Sequence, residues 1–148
     1  TGRYLSSHIS HLVHKELSVL VGTEITLSCV FDTPSKLVEW SALSIEWNMV
    51  DKHAKKSMVY MLEDGRAHVY KEGSVMNETR LRQSDASLQL HNVTVRDEGL
   101  YTCRVINPLI YTESTALKVL GILAVQGEIY IILLISFLFF FTLDLLNS

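Results

Sequence analysis

Asp97-Glu98-Gly99-Leu100-Tyr101-Thr102-Cys103 is the stretch on which the fold turns, because Tyr101, Cys103 and the following Val105 alternate with Thr102 and Arg104. That is the period of a strand with one buried face. Working outward, Leu88 and Leu90 alternate just upstream and Thr115, Leu117 and Val119 do so downstream. Ile45, Trp47 and Met49 form another such run, and Ile25, Leu27 and Cys29 an earlier one, entered through the turn residues Val21-Gly22-Thr23. Between them, Ser57 to Leu62 and Arg66 to Tyr70 are β-prone segments joined by Glu63-Asp64-Gly65, a hairpin signal. No stretch of helical period and useful length precedes residue 128. Many short strands without intervening helices predict an all-β, two-sheet sandwich.

Composition limits the function. The 148 residues suit one domain with appendages, and 48% hydrophobic content is enough for a core. A net charge of −3 provides no excess of cations to neutralise a phosphate backbone, so no nucleic-acid partner is expected. Ser, His and Asp occur, but no G-x-S-x-G, H-E-x-x-H or phosphate-loop spacing organises them, so the chain reads as no enzyme, with no small-molecule substrate. His8, His11 and His14 recur at every third position with no carboxylate or Cys beside them, which predicts a polar arm over 1–15, no metal and no cofactor.

Cys29 and Cys103 are too far apart for a CxxC redox or zinc-ribbon motif, which leaves free core thiols or one long-range disulfide. Two N-x-S/T triplets, at Asn77 and Asn92, are candidate glycosylation sites. Triplets, cysteine pair and hydrophobic tail together favour the secretory pathway, where a disulfide persists.

The D-x-G-x-Y-x-C pattern, ending some seventy residues after the first Cys with a Trp between, resembles the V-set of the immunoglobulin superfamily over about residues 16–120. The resemblance implies a V-type sandwich in which Cys29 and Cys103 bridge the sheets and Tyr101 ties its strand to the preceding turn. It implies that Gly99 permits a tight turn and that Asp97 pairs with a basic residue at the start of strand D, assigned here to Arg80. Trp40 lies nearer the usual distance from the first Cys, whereas Trp47 sits in the clean alternation; the alternation selects Trp47 as the residue packed on the bridge. More narrowly, Asp85-Ala86-Ser87-Leu88-Gln89-Leu90 with Cys103-Arg104-Val105 and Pro108-Leu109 resembles the butyrophilin-like costimulatory ligands, in particular the ligand of the natural cytotoxicity triggering receptor. That implies a ligand for a T-cell or natural killer cell receptor. One V domain followed at once by a hydrophobic tail is also similar to single-V adhesion molecules and channel-associated β-subunits, which implies homophilic or same-membrane contacts instead.

In either case the expected partner is a protein, and the expected surface is the face of the strands lettered C, C′, F and G in that family. Strand parity turns Glu46 and Asn48 outward on C, and Arg104 and Ile106 outward on F. The F to G loop, read as Asn107 to Tyr111, is apolar for a connection. Leu109 and Ile110 either anchor a partner or fold inward, and Tyr111 is the one expected to stay exposed. Asn77 is placed before strand D and Asn92 at the end of strand E, so sugar would leave this face free. Lys52 to Lys56, with His53, reads as a solvated turn.

The segment Ile129 to Leu143 carries no charge, and no Lys or Arg follows Lys118. As a helix it would reach about 22 Å, and extension to Leu146 takes in Asp144, against a hydrocarbon core of about 30 Å. The expected layout is a linker over 121–128, a membrane anchor over 129–146 and an extracellular N-terminus, single-pass at the cell membrane. A glycolipid anchor is the lesser alternative, because the one small-residue triplet, Ser114-Thr115-Ala116, falls inside a strand.

Overall fold

The structure, a computed structural model, describes residues 15–33, 38, 40–121, 133–139, 141–142 and 146. The leader with His8, His11 and His14, and the linker beyond Gly121, lie outside them, and of the tail only 133–139, 141–142 and 146 are described, as helix. Among the described residues no helix is long and apolar enough to cross a membrane.

Among the described residues, nine strands form two sheets. β1 (Lys15–Leu20), β3 (Ser44–Val50), β4 (Lys56–Glu63), β5 (Arg66–Val69), β8 (Gly99–Asn107) and β9 (Leu109–Leu120) make the larger, in the order β1-β9-β8-β3-β4-β5. β2 (Ile25–Leu27), β6 (Ser74–Met76) and β7 (Leu88–Leu90) make the smaller, in the order β2-β7-β6. A single turn of helix, α1 (Glu78–Leu81), follows β6, and 3-10 turns occur at Trp40–Ala42 and Val95–Asp97. All pairings are antiparallel except the first strand with the last, where Leu20 stands beside Leu120.

The alternating residues supply the core. Leu27, Ile45, Trp47, Leu88, Leu90, Tyr101, Val105 and Leu117 are buried between the sheets. Cys29 and Cys103 are joined there as a disulfide, with Cα atoms 6.3 Å apart. Trp47 stands opposite Cys103 in the β3–β8 register and donates its Nε1–H to the Ala86 carbonyl at 3.0 Å, so its one polar atom is satisfied. Trp40, in the 3-10 turn, is half-buried at the margin of the core. Asp64 and Gly65 both take positive φ, 50° and 69°, which is the backbone of a two-residue hairpin whose twist matches the strands it joins.

Candidate recognition face

The base of β8 is held from several sides. The Tyr101 hydroxyl, wholly buried, donates to the Asp97 carbonyl at 2.8 Å and closes the turn before the strand. Burial, and then the negative charge of Asp97, raise the Tyr101 pKa well above its ordinary value, so the group stays a neutral donor. The Asp97 carboxylate is buried: one oxygen meets Lys71 Nζ at 2.7 Å and the other accepts from the Thr94 amide at 2.8 Å. Glu98 accepts from the Val119 amide at 3.0 Å, fastening the same turn to β9.

Two expectations are corrected here. Arg80 is not the partner of Asp97; it belongs to α1 and pairs with Asp85 at 2.7 Å. The cause is the position of the strand lettered D. It is β6, which ends before Asn77, so the basic residue preceding it is Lys71, and Arg80 lies at the opposite end of β7 from the Thr94–Asp97 turn. Burial pushes the Asp85 carboxyl up, but hydrogen bonds from Ser87 and the Arg80 guanidinium outweigh it and hold the group below the usual carboxylate range. Gly99, in turn, lies within β8 and makes no tight turn. Its lack of a side chain serves close approach, since a Cβ there would stand 2.5 Å from the Val50 carbonyl oxygen and 2.9 Å from Met49 Sδ.

The outer face of the larger sheet is laid out by register. Glu46 lies opposite Arg104, which lies opposite Thr112; Asn48 lies opposite Thr102, whose hydroxyl is 3.1 Å from that of Ser114; Ile106 lies opposite Ile110. Arg104 is exposed and makes no ion pair among the described residues. Asn48 shares this face with Glu46, whose carboxylate accepts from its amide, and is covered to 7% exposure. A bulge in β4 leaves Val59 without a partner between Tyr60, opposite Trp47, and Met58, opposite Asn48, while β3 keeps an unbroken register with β8.

At the far end of β8 the expected loop does not exist. β8 runs to Asn107 and β9 starts at Leu109, so Pro108 alone makes the connection. Leu109 and Ile110 are 69% and 63% exposed. Tyr111 reverses its expectation, being half-buried against the core, because it pairs with inward-facing Val105; its hydroxyl donates to Glu113 at 3.0 Å. Leu109, paired with buried Asn107, has inward parity and is exposed all the same.

Asn77 follows β6 rather than preceding it, and its side chain caps α1 by accepting from the Arg80 amide at 3.0 Å. Asn92 follows β7 with φ of 51°. Both are exposed, and both flank strands of the smaller sheet. No group of three His, Cys, Asp or Glu among the described residues could hold a metal.

Six strands packed on three through a single inter-sheet disulfide, with a tyrosine hydroxyl closing the turn that precedes its second cysteine, define an immunoglobulin-type domain of the variable kind. The model described as the immunoglobulin V-set domain matches residues 13–120, and the chain belongs to that family. It is 30% identical to the tapasin-related protein of Homo sapiens over 96 residues, 64% of this chain and 20% of that protein. It is 32% identical to the CXADR-like membrane protein of Homo sapiens over 114 residues, 72% of this chain and 30% of that protein. The chain thus matches less than a third of the length of either relative. Among solved structures, its fold is similar to the extracellular domain of the voltage-gated sodium channel beta4 subunit, described as parallel homodimers that explain a role in cell-cell adhesion. The TM-score is 0.59 at 17% identity, covering 73% of this chain and 92% of that one.

Proposed function

We propose that this chain is a cell-surface adhesion and recognition protein whose partner is another protein, a second copy of itself included, bound through the outer face of β3, β4, β8 and β9 and the tip of the β8–β9 hairpin. The observation that carries the reading is the tip: Leu109 and Ile110 are exposed, and Arg104, which makes no ion pair among the described residues, lies on the same face as Ile110. Exposed aliphatic side chains grouped with an arginine are residue types that anchor protein interfaces. Glu46 opposite Arg104, with Ile106 next along the strand, continues the patch. Glycans at Asn77 and Asn92 would leave from the smaller sheet and keep the face clear. The tail over 129–146 would pass once through the cell membrane with the V domain outside. The adhesion role named for the beta4 subunit and the membrane relative both fit this layout.

A second reading rests on the pattern Asp85-Ala86-Ser87-Leu88 with Pro108-Leu109, which resembles butyrophilin-like ligands and favours a receptor on an opposing T cell or natural killer cell. One experiment tests both: the full chain is expressed on suspension cells, which are mixed with unlabelled copies of themselves and with labelled lymphocytes. Aggregation among the expressing cells that is abolished by Leu109→Ser with Ile110→Ser supports homophilic adhesion; capture of lymphocytes with the same dependence supports the ligand. Failure of both kinds of contact, with the chain present at the surface, refutes the proposal.

A further inference from the structure

The outer face of the larger sheet is apolar at its two ends and polar between them. At the tip, Ile106 and Ile110 are neighbours in the β8–β9 register, Ile110 at 63% exposure. At the base, Val50, Leu100 and Ala116 form one row across β3, β8 and β9, which Glu16 of β1 continues. A largely apolar cavity of about 460 Å³ lies against this row, with Lys52 and Lys118 also on its walls. Between tip and base the same strands present Asn48, Thr102 and Ser114, then Glu46, Arg104 and Thr112.

The spacing of the two ends is what selects an occupant for the groove. Along β8, Leu100 and Ile106 lie three residues to either side of Cys103, and β3 and β9 flank β8 on its two sides. A two-fold axis set perpendicular to the sheet at that midpoint therefore exchanges the ends of the face. It brings Ile106 onto the partner's Leu100 and Ile110 onto the partner's Val50, and symmetry makes each contact twice. Arg104 makes no ion pair among the described residues. In this arrangement it comes to about 8 Å, measured in the plane of the sheet, from the partner's Glu46, within reach of two long side chains. A parallel pairing would instead lay groove against groove and leave both unfilled.

We propose that two copies of this chain pair face to face and antiparallel through β3, β8 and β9, the hairpin tip of each seated in the groove at the base of the other. The inference deepens the reading given above, and rests on it for the adhesive face and for the tail as a membrane anchor. Because β9 ends at Leu120, the chain leaves each domain at its base. Antiparallel copies thus send their tails in opposite directions, which places them in two facing membranes. Three strands by seven residues is about 14 by 24 Å, small beside the ~800 Å² that each partner of a stable complex commonly buries. Single pairs are accordingly weak, and many copies on the two surfaces act together.

The test displays the full chain on two populations of suspension cells, one carrying Ile106→Cys and the other Leu100→Cys, and treats the mixture with a short bis-maleimide. Cross-linked dimers are expected at least fivefold above those from either population alone, and Ala116→Trp, which fills the groove, should remove them. Ile110→Cys with Val50→Cys repeats the measurement at the second contact if either first variant does not reach the surface. Self-linking of Ile106→Cys within one population overturns the antiparallel pairing in favour of a parallel one. Links that form when both variants share a cell but never between cells overturn the placement in facing membranes, and links that survive Ala116→Trp overturn the use of the groove. Cells that aggregate without any of these links overturn the inference and leave adhesion standing; displayed chains that neither link nor aggregate cells overturn both.

Discussion

The two ends of strand β8 differ more than any two strands of the molecule. At its base Gly99, Tyr101 and Cys103 are each held by one specific contact: a backbone oxygen too near to admit a Cβ, a carbonyl that takes the hydroxyl proton, and a disulfide. At its tip, five to seven residues on, Ile110 and Leu109 touch solvent and the chain reverses through Pro108 alone. One strand thus runs from a part where nearly every atom is committed to a part where side chains are free to be chosen for what lies outside. A domain of this kind keeps its shape and its binding specificity in separate sequence positions.

That separation can be broken by substitution, beginning where the effect should be greatest. Removing the bridge with Cys29→Ala and Cys103→Ala frees a long loop in the unfolded chain and should lower stability by about 4 kcal/mol, read from the urea midpoint. Lys71→Met leaves the Asp97 carboxylate buried without its cation and should cost about 3 kcal/mol, whereas Arg80→Met, at a half-exposed ion pair, should cost less than about 1 kcal/mol. Equal losses at the two sites would show that Asp97 does not depend on Lys71. Gly99→Ala must push Val50 or Met49 aside and should cost about 2 kcal/mol in thermal unfolding. Leu109→Ser with Ile110→Ser should change stability by no more than about 0.5 kcal/mol while eliminating cell contacts; a large loss of stability there would mean that the tip belongs to the core after all.

The base of β8 was readable in the sequence because its constraints are local: a cysteine, a tyrosine two residues before it and a glycine two before that follow one period. The strand alternations around Trp47, Leu88 and Leu117 were readable for the same reason. Pairings that depend on where a distant strand begins were not. The sequence points to Arg80 instead of Lys71 as the partner of Asp97 because β6 is three residues long and carries no alternation strong enough to place it. A polar-tipped aromatic after a proline reads as loop, whereas the hairpin continues its ladder to Asn107 and thereby fixes which side of the sheet Tyr111 faces.

The parallel alignment of β1 with β9 bears on how the domain would carry a load. A tug arriving at the hairpin tip and resisted beyond Gly121 is directed along β9 itself. Its neighbours, six paired residues of β1 on one side and nine of β8 on the other, hold that strand in place without lying between the two points of attachment. The tension is taken by the already extended covalent backbone of β9, so a contact made at the tip can be pulled on without the sandwich opening first.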